Sequence, residues 1–237
     1  MIGCLCIHGF TGEAKEIEPL TNFLNKKKGW LVYSPTLPGH GSKEALKKAN
    51  FKHWLYAAEI ATQELLLRCE KVYIIGFSMG GMIAAYVASK YPVNKLVLLS
   101  ASAYYLNPKQ IIQDMKGWII EGWRGELEKD LLYKLYRKKI VDTPVSATIE
   151  FAKVVYRTKP LLRNVQVPTL IIQGECDGLV PPKKTAEYLY ETISSADKQL
   201  YYFKNSKHYI WLGDEREELL KIINHFLESK LELANGA

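Results

Sequence analysis

Short apolar runs alternate along the chain with longer segments of helical spacing. The runs Ile2 to Ile7, Leu31 to Ser34, Val72 to Ile75, Leu96 to Leu99, Thr169 to Gln173 and Leu200 to Phe203 predict strands. Four of these runs are near-continuously apolar, the pattern of parallel strands covered on both faces. Helical spacing predicts helices at about 14–28, 51–68, 79–90, 182–194 and 214–231. In the last of them, Leu219, Leu220, Ile223, Phe226 and Leu227 fall on one stripe. Strand–helix alternation of this kind argues for βαβ units and a parallel sheet, an α/β fold.

The rhythm breaks between residues 104 and 163, where three helical patterns follow one another with no strand between them. Ile111, Ile112, Met115, Trp118 and Ile119 make one stripe, and Leu127, Leu131 and Leu135 a second. Val145, Ile149, Ala152 and Tyr156 make a third, with Pro144 at a plausible helix start. The expected organisation is a core of residues 1–103 and 164–237 with a helical cap, 104–163, inserted between two strands of the sheet. No internal repeat or low-complexity segment interrupts this plan.

Composition narrows the class. The 237 residues are 48% hydrophobic and 24% charged, an ordinary globular balance with ample material for a core. No apolar stretch approaches the roughly 18–20 residues of a transmembrane helix, so no stable membrane insertion is expected. The opening "MIGCLCIHGF" lacks a basic leader region, and its apolar run is too short for a signal peptide. Net charge is +7, and residues 104–163 hold 12 Lys/Arg against 7 Asp/Glu. These cations are interleaved with acids along helical segments and no nucleic-acid motif accompanies them, so they read as a solvated surface, not a nucleic-acid interface. Cys4 and Cys6 stand two apart in an apolar run, on one face of a strand. Without a second Cys/His pair at ligand spacing they read as small buried residues, no metal is expected, and the thiol pattern suits a reducing cytoplasm.

Chemistry concentrates in "YIIGFSMGGMIAAYVA", residues 73–88. Gly76-Phe77-Ser78-Met79-Gly80 is a G-x-S-x-G motif set after a predicted strand and before a predicted helix. A sharp turn of that kind presents a serine at the head of a helix, whose N–H groups favour developing negative charge. A serine needs a base. Of five histidines, His8 and His40 lie in glycine-flanked loops, His53 in a helical pattern and His225 on the polar side of the last helix. His208 follows the last predicted strand, at the sheet edge where Ser78 stands, and is the expected base. An acid to orient it is offered by "IIQGECDGLVPP", which carries both Glu175 and Asp177. For an oxyanion, Met79 N–H supplies one donor, and Phe10, in "HGFTG" after the first strand, is placed for the second.

With these residues the chain resembles the α/β-hydrolases, and more narrowly the small bacterial carboxylesterases and monoacylglycerol lipases. The resemblance rests on "HGFTG" at 8–12, "PGHG" at 38–41, "GFSMGG" at 76–81, "GECDGLVPP" at 174–182 and "SKH" at 206–208. It places the acid at Asp177, giving the chain order Ser78, Asp177, His208 of that superfamily. It also implies a helical cap where the 104–163 insertion stands. The chain lacks the early antiparallel strands of larger members, so about six mostly parallel strands are expected, with Leu31 to Ser34 at an edge. Lys207, before the base, stands where glycine is frequent in relatives.

The expected activity is hydrolysis of a small-molecule carboxylic ester, of short-to-medium acyl chain or a monoacylglycerol, through an acyl-enzyme and without a cofactor. Tyr104, Tyr105 and Trp118 are candidate substrate contacts. The same triad could serve a thioesterase, peptidase, acyltransferase or C–C hydrolase. A non-catalytic ligand-binding protein of the same fold is disfavoured by the completeness of the triad.

Overall fold

A computed structural model of the chain describes residues 1–104 and 143–229. The six apolar runs become β1 (Ile2–Ile7), β2 (Trp30–Tyr33), β3 (Lys71–Phe77), β4 (Lys95–Leu99), β5 (Thr169–Gly174) and β6 (Lys198–Phe203). They form one sheet in the order β2-β1-β3-β4-β5-β6, with every neighbouring pair parallel. β2 lies at an edge, as expected. β1 coincides with its apolar run, and the other strands differ from theirs by one or two residues at an end, mostly because backbone pairing continues past the apolar side chains. Ile7 pairs with Gly76, and Thr169 with Lys198.

Alternation within the strands divides the interior in two. Leu5, Ile7, Val72, Ile74, Leu96, Leu98 and Ile171 face one side. There they meet helices α3 (Phe51–Arg68), α4 (Met79–Ala88), α5 (Val145–Thr158) and α6 (Pro182–Thr192). Cys4, Cys6, Tyr73, Ile75, Val97, Leu99, Leu170 and Ile172 face the other side, under α1 (Glu18–Leu24) and α7 (Arg216–Glu228). The Cys4 and Cys6 thiols are 3.9 Å apart and buried, and their contact together with burial pushes the Cys4 thiol well above its ordinary pKa. It therefore stays protonated and packs as an apolar side chain.

Three departures from the pattern have physical causes. The helix expected at 14–28 is broken into a 3-10 turn, Ala14–Ile17, and α1, with Pro19 in its first turn. Proline has no N–H to give the preceding turn and its ring would crowd that turn's carbonyl. A short helix α2 (Lys43–Lys48), capped by the Ser42 hydroxyl on Ala45 N–H, had no apolar stripe to reveal it. In α5 the stripe Val145, Ile149, Tyr156 exists, but it is the exposed one, at 60%, 41% and 69% exposure. The buried face is Ala147, Thr148, Phe151, Val154, Val155 and Thr158, packed with α3 and α4. Two threonines hid it. Their hydroxyls turn back to the carbonyls of Pro144 and Val154, leaving methyls for the core. The other two stripes of the 104–163 segment, with Trp118 and Tyr105, lie outside the described residues.

The chain runs from β1 outward to β2, then returns to β3 on the opposite side of β1. Helix α1 covers one face after β1 and α3 the other after β2, so the crossovers diverge at the C-terminal ends of β1 and β3, the place where open α/β sheets bind ligands. Phe10 follows β1 and Ser78 follows β3 at that divergence. Asp177 follows β5 and His208 follows β6 at the same sheet edge.

Candidate active site

Ser78 sits between β3 and α4 at φ 54° and ψ −119°, a backbone conformation that a non-glycine residue holds only when its surroundings impose it. They do. Its N–H donates to the Leu99 carbonyl at 2.9 Å, while its own carbonyl accepts from Gly81 at 3.0 Å and Ser102 at 3.2 Å. The flanking glycines allow the turn to close. A methyl on Gly76 would run into the Gly80 carbonyl, and one on Gly80 into the carbonyls of Ile7 and His8. The second approach seats the loop after β1 directly against the elbow.

From this elbow a line of side chains runs across the sheet edge. Ser78 Oγ lies 3.0 Å from His208 Nε2, and His208 Nδ1 lies 2.7 Å from Asp177 Oδ2. The carboxylate accepts the Nδ1 proton, which leaves Nε2 bare to accept from the serine hydroxyl. Ser78, Asp177 and His208 are 8%, 6% and 3% exposed, so the line is nearly dry. Asp177 is held at both oxygens: Oδ1 accepts from the N–H of Leu179 (2.8 Å) and Val180 (3.0 Å), and Oδ2 also from Gln173 Nε2 (2.9 Å). Glu175, two residues away, is exposed and takes no part. The His208 ring leans on Phe77 at 4.9 Å, and the Ser100 hydroxyl donates to the His208 carbonyl at 3.0 Å. Such an array can take a proton from a hydroxyl, hold it, and return it to a leaving group.

The loop after β1 is organised around Gly9. Leu37 N–H donates to His8 Nε2 at 2.9 Å, so the His8 proton is on Nδ1, which donates to the Gly9 carbonyl at 2.8 Å. Gly12 N–H reaches the same carbonyl at 3.1 Å. That carbonyl and Phe10 N–H belong to one planar trans peptide and point in opposite directions, so fixing one aims the other. Among the described residues no hydrogen bond takes up the N–H of Phe10 or Met79. The Phe10 ring turns inward and stacks on Phe151 at 5.0 Å, and Met79 is fully buried.

The remaining histidines have other occupations. His53 caps α3, its Nδ1 accepting from Asn50 N–H, and His225 is exposed on α7. His40 is 8% exposed and packs edge-on against His8 and Trp54 at 5.0 and 5.1 Å. Burial, then the neighbouring His8, lowers its pKa to about 3. Tyr104 follows β4 by five residues. Its ring meets Tyr188 at 5.3 Å, with the ammonium groups of Lys159 and Lys184 over it at 4.1 and 4.5 Å. Among the described residues no three His, Cys, Asp or Glu side chains gather as metal ligands.

Two further residues of the site belong to no sequence motif. Ser102, 1% exposed, places its Oγ 3.0 Å from Ser78 Oγ. Because the Ser78 proton is committed to His208, the Ser102 hydroxyl donates to Ser78. Gln173, 1% exposed, holds Asp177. The available signal was a polar residue at or just past the C-terminal end of an otherwise apolar strand, at the same edge as Ser78.

A family model described as serine aminopeptidase, S33, matches residues 3–216. A thermostable monoacylglycerol lipase of Bacillus sp. (strain H-257) is 27% identical over 228 residues, covering 93% of this chain and 88% of that protein. A carboxylesterase of Bacillus subtilis is 22% identical over 226 residues, covering 94% and 91%. Among solved structures, one described with the metagenome-derived lipolytic enzymes LipS and LipT superposes with a TM-score of 0.78 at 24% identity, covering 95% of this chain and 93% of the other.

Proposed function

We propose that this chain, which belongs to the serine aminopeptidase (S33) family of hydrolases, cleaves carboxylic esters of short-to-medium acyl chain or monoacylglycerols. The observation that carries this reading is the Asp177–His208–Ser78 line, with contacts of 2.7 and 3.0 Å, mounted on a strained elbow. Ser78 Oγ attacks the acyl carbonyl carbon as His208 Nε2 takes its proton. The carbonyl π electrons move to oxygen, and the N–H groups of Phe10 and Met79 hold the oxyanion. The intermediate collapses, the C–O bond to the alcohol breaks, and His208 protonates the leaving oxygen. Water then repeats the sequence on the acyl-enzyme, His208 acting first as base and then as acid, to release the carboxylic acid and restore Ser78. Asp177 keeps its charge throughout and steadies the imidazolium.

The choice of an ester is supported by the two bacterial relatives, one named a monoacylglycerol lipase and the other a carboxylesterase. On this reading the 104–163 segment supplies the cap over the acyl site, although its α5 also packs into the core, and Tyr104, Tyr105 and Trp118 are substrate contacts. The family model's description favours a second reading, release of an N-terminal amino acid by the same acyl chemistry.

The two readings separate in one assay. Chromogenic acyl esters of increasing chain length and amino-acid nitroanilides are offered to the wild type and to Ser78→Ala. Ester turnover that vanishes in Ser78→Ala supports the proposal. Ser78-dependent cleavage of the anilides alone would replace it with the peptidase reading. Turnover that survives in Ser78→Ala would reject the site.

A further inference from the structure

The two loops that must cooperate in this chemistry stand at different strands, and one carboxylate joins them. Glu16 lies in the 3-10 turn before α1. Its Oε2 accepts from Gly9 N–H at 2.8 Å, and its Oε1 accepts from the Tyr209 hydroxyl at 2.6 Å. Gly9 precedes Phe10, and Tyr209 follows His208. The carboxylate lies flat on Gly12, where any side chain would displace it. Tyr209 is itself braced, its ring 5.0 Å from Phe77 and 5.8 Å from Trp211. Gly9 is thus held on both sides, at its carbonyl by His8 and at its N–H by Glu16.

We propose that Glu16 and Tyr209 are positioning residues that lock the oxyanion loop to the loop carrying the base. Phe10 N–H and His208 Nε2 must address one acyl group at the same moment, and a geometry loosened by about 1 Å is costly in rate. The link acts on peptide orientation and touches no substrate. It therefore bears on kcat with little effect on KM. This rests on the reading of Phe10 as an oxyanion donor and Ser78 as the nucleophile.

The substitutions differ in what they leave behind. Glu16→Ala removes both acceptors. Tyr209→Phe removes one donor and keeps the ring contacts. Glu16→Gln keeps both links, because its amide oxygen can accept from Gly9 while its amide nitrogen donates to the tyrosine oxygen. Two quantities are read: the rate of Ser78 labelling by an alkyl fluorophosphonate, and kcat on a short chromogenic ester per labelled site. Complete loss of an oxyanion donor costs about 10²–10³-fold, and a loosened one is expected to cost about tenfold. Glu16→Ala is expected to lose about tenfold in both quantities with KM nearly constant, and Tyr209→Phe somewhat less. Glu16→Gln should stay within about threefold of the wild type, and the Glu16→Ala, Tyr209→Phe double variant should be no slower than Glu16→Ala.

A melting temperature that falls while the rate per labelled site stays at the wild-type value would overturn the inference and leave a structural brace. Losses that simply add in the double variant would overturn the shared link. A wild type that labels but hydrolyses no ester would refute the substrate proposal, with the labelling rates still deciding this one. A wild type that does not label at Ser78 would overturn both.

Discussion

Histidine 40 makes the fold acid-labile in a way that can be measured. It is 8% exposed, its Nδ1 lies 3.4 Å from the Pro38 carbonyl, and its Nε2 is buried with no hydrogen-bond partner among the described residues. A proton on Nε2 would bury a charge and a donor with nothing to receive it. Burial and the nearby His8 therefore lower its pKa from 6.5 to about 3. The unfolded chain binds this proton first. The contribution to stability is complete above the unfolded pKa and is lost as pH falls from there toward the folded value. Between about pH 7 and about pH 4.5 roughly two units of that window are crossed, worth about 3 kcal/mol at 1.36 kcal/mol per unit. His40→Phe keeps a ring among His8, Phe10 and Trp54 and cannot titrate. Urea unfolding of both proteins at both pH values cancels the groups they share. The wild type should lose about 3 kcal/mol more than His40→Phe on acidification. Equal losses would mean that the buried imidazole is not the group that resists protonation.

Other substitutions test the remaining parts. Lys95 is 1% exposed and its ammonium donates to the Phe226 and Ser229 carbonyls at 2.5 and 2.7 Å, closing the end of α7. Lys95→Met should cost about 2–4 kcal/mol in urea unfolding, because it strands those carbonyls; a variant as stable as the wild type would contradict the capping role. Asp177→Asn should lower kcat by about 10⁴-fold by disturbing the His208 tautomer, while Glu175→Gln, exposed on the same loop, should leave it unchanged. The reverse outcome in steady-state kinetics would transfer the acid to Glu175. Ser102→Ala removes one donor to Ser78 Oγ and should slow kcat roughly 3–10-fold with stability nearly intact. An unchanged kcat would mean that the hydroxyl contact does not hold the nucleophile's rotamer.

The elbow at Ser78 is legible in the sequence because such a turn demands glycine where the chain approaches itself. Gly76 and Gly80 face carbonyls that no Cβ could clear, and that demand survives in the letters. His208 was legible through its place after the last strand. Asp177 over Glu175 was not, since both stand in the same loop; the resemblance supplied the choice, and two backbone N–H groups and Gln173 account for it. What escaped is what only three dimensions join. Ser102 meets Ser78 across two strands, and Glu16 meets Tyr209 across nearly the whole chain. The α5 pattern points to the wrong face because Thr148 and Thr158 count as polar in a pattern yet bury their methyls once their hydroxyls are satisfied. The six strands were found because parallel strands covered on both faces leave continuous apolar runs, while their ends follow backbone pairing that no side chain announces.

The proposed mechanism turns on an acyl group carried by Ser78. Mixing the protein with a chromogenic ester and quenching within the first turnover traps that intermediate for mass spectrometry. Acylation of Ser78 gives a mass gain equal to one acyl group on the peptide containing it, and none in Ser78→Ala. An acyl adduct on any other residue, or steady ester turnover in Ser78→Ala, would contradict it.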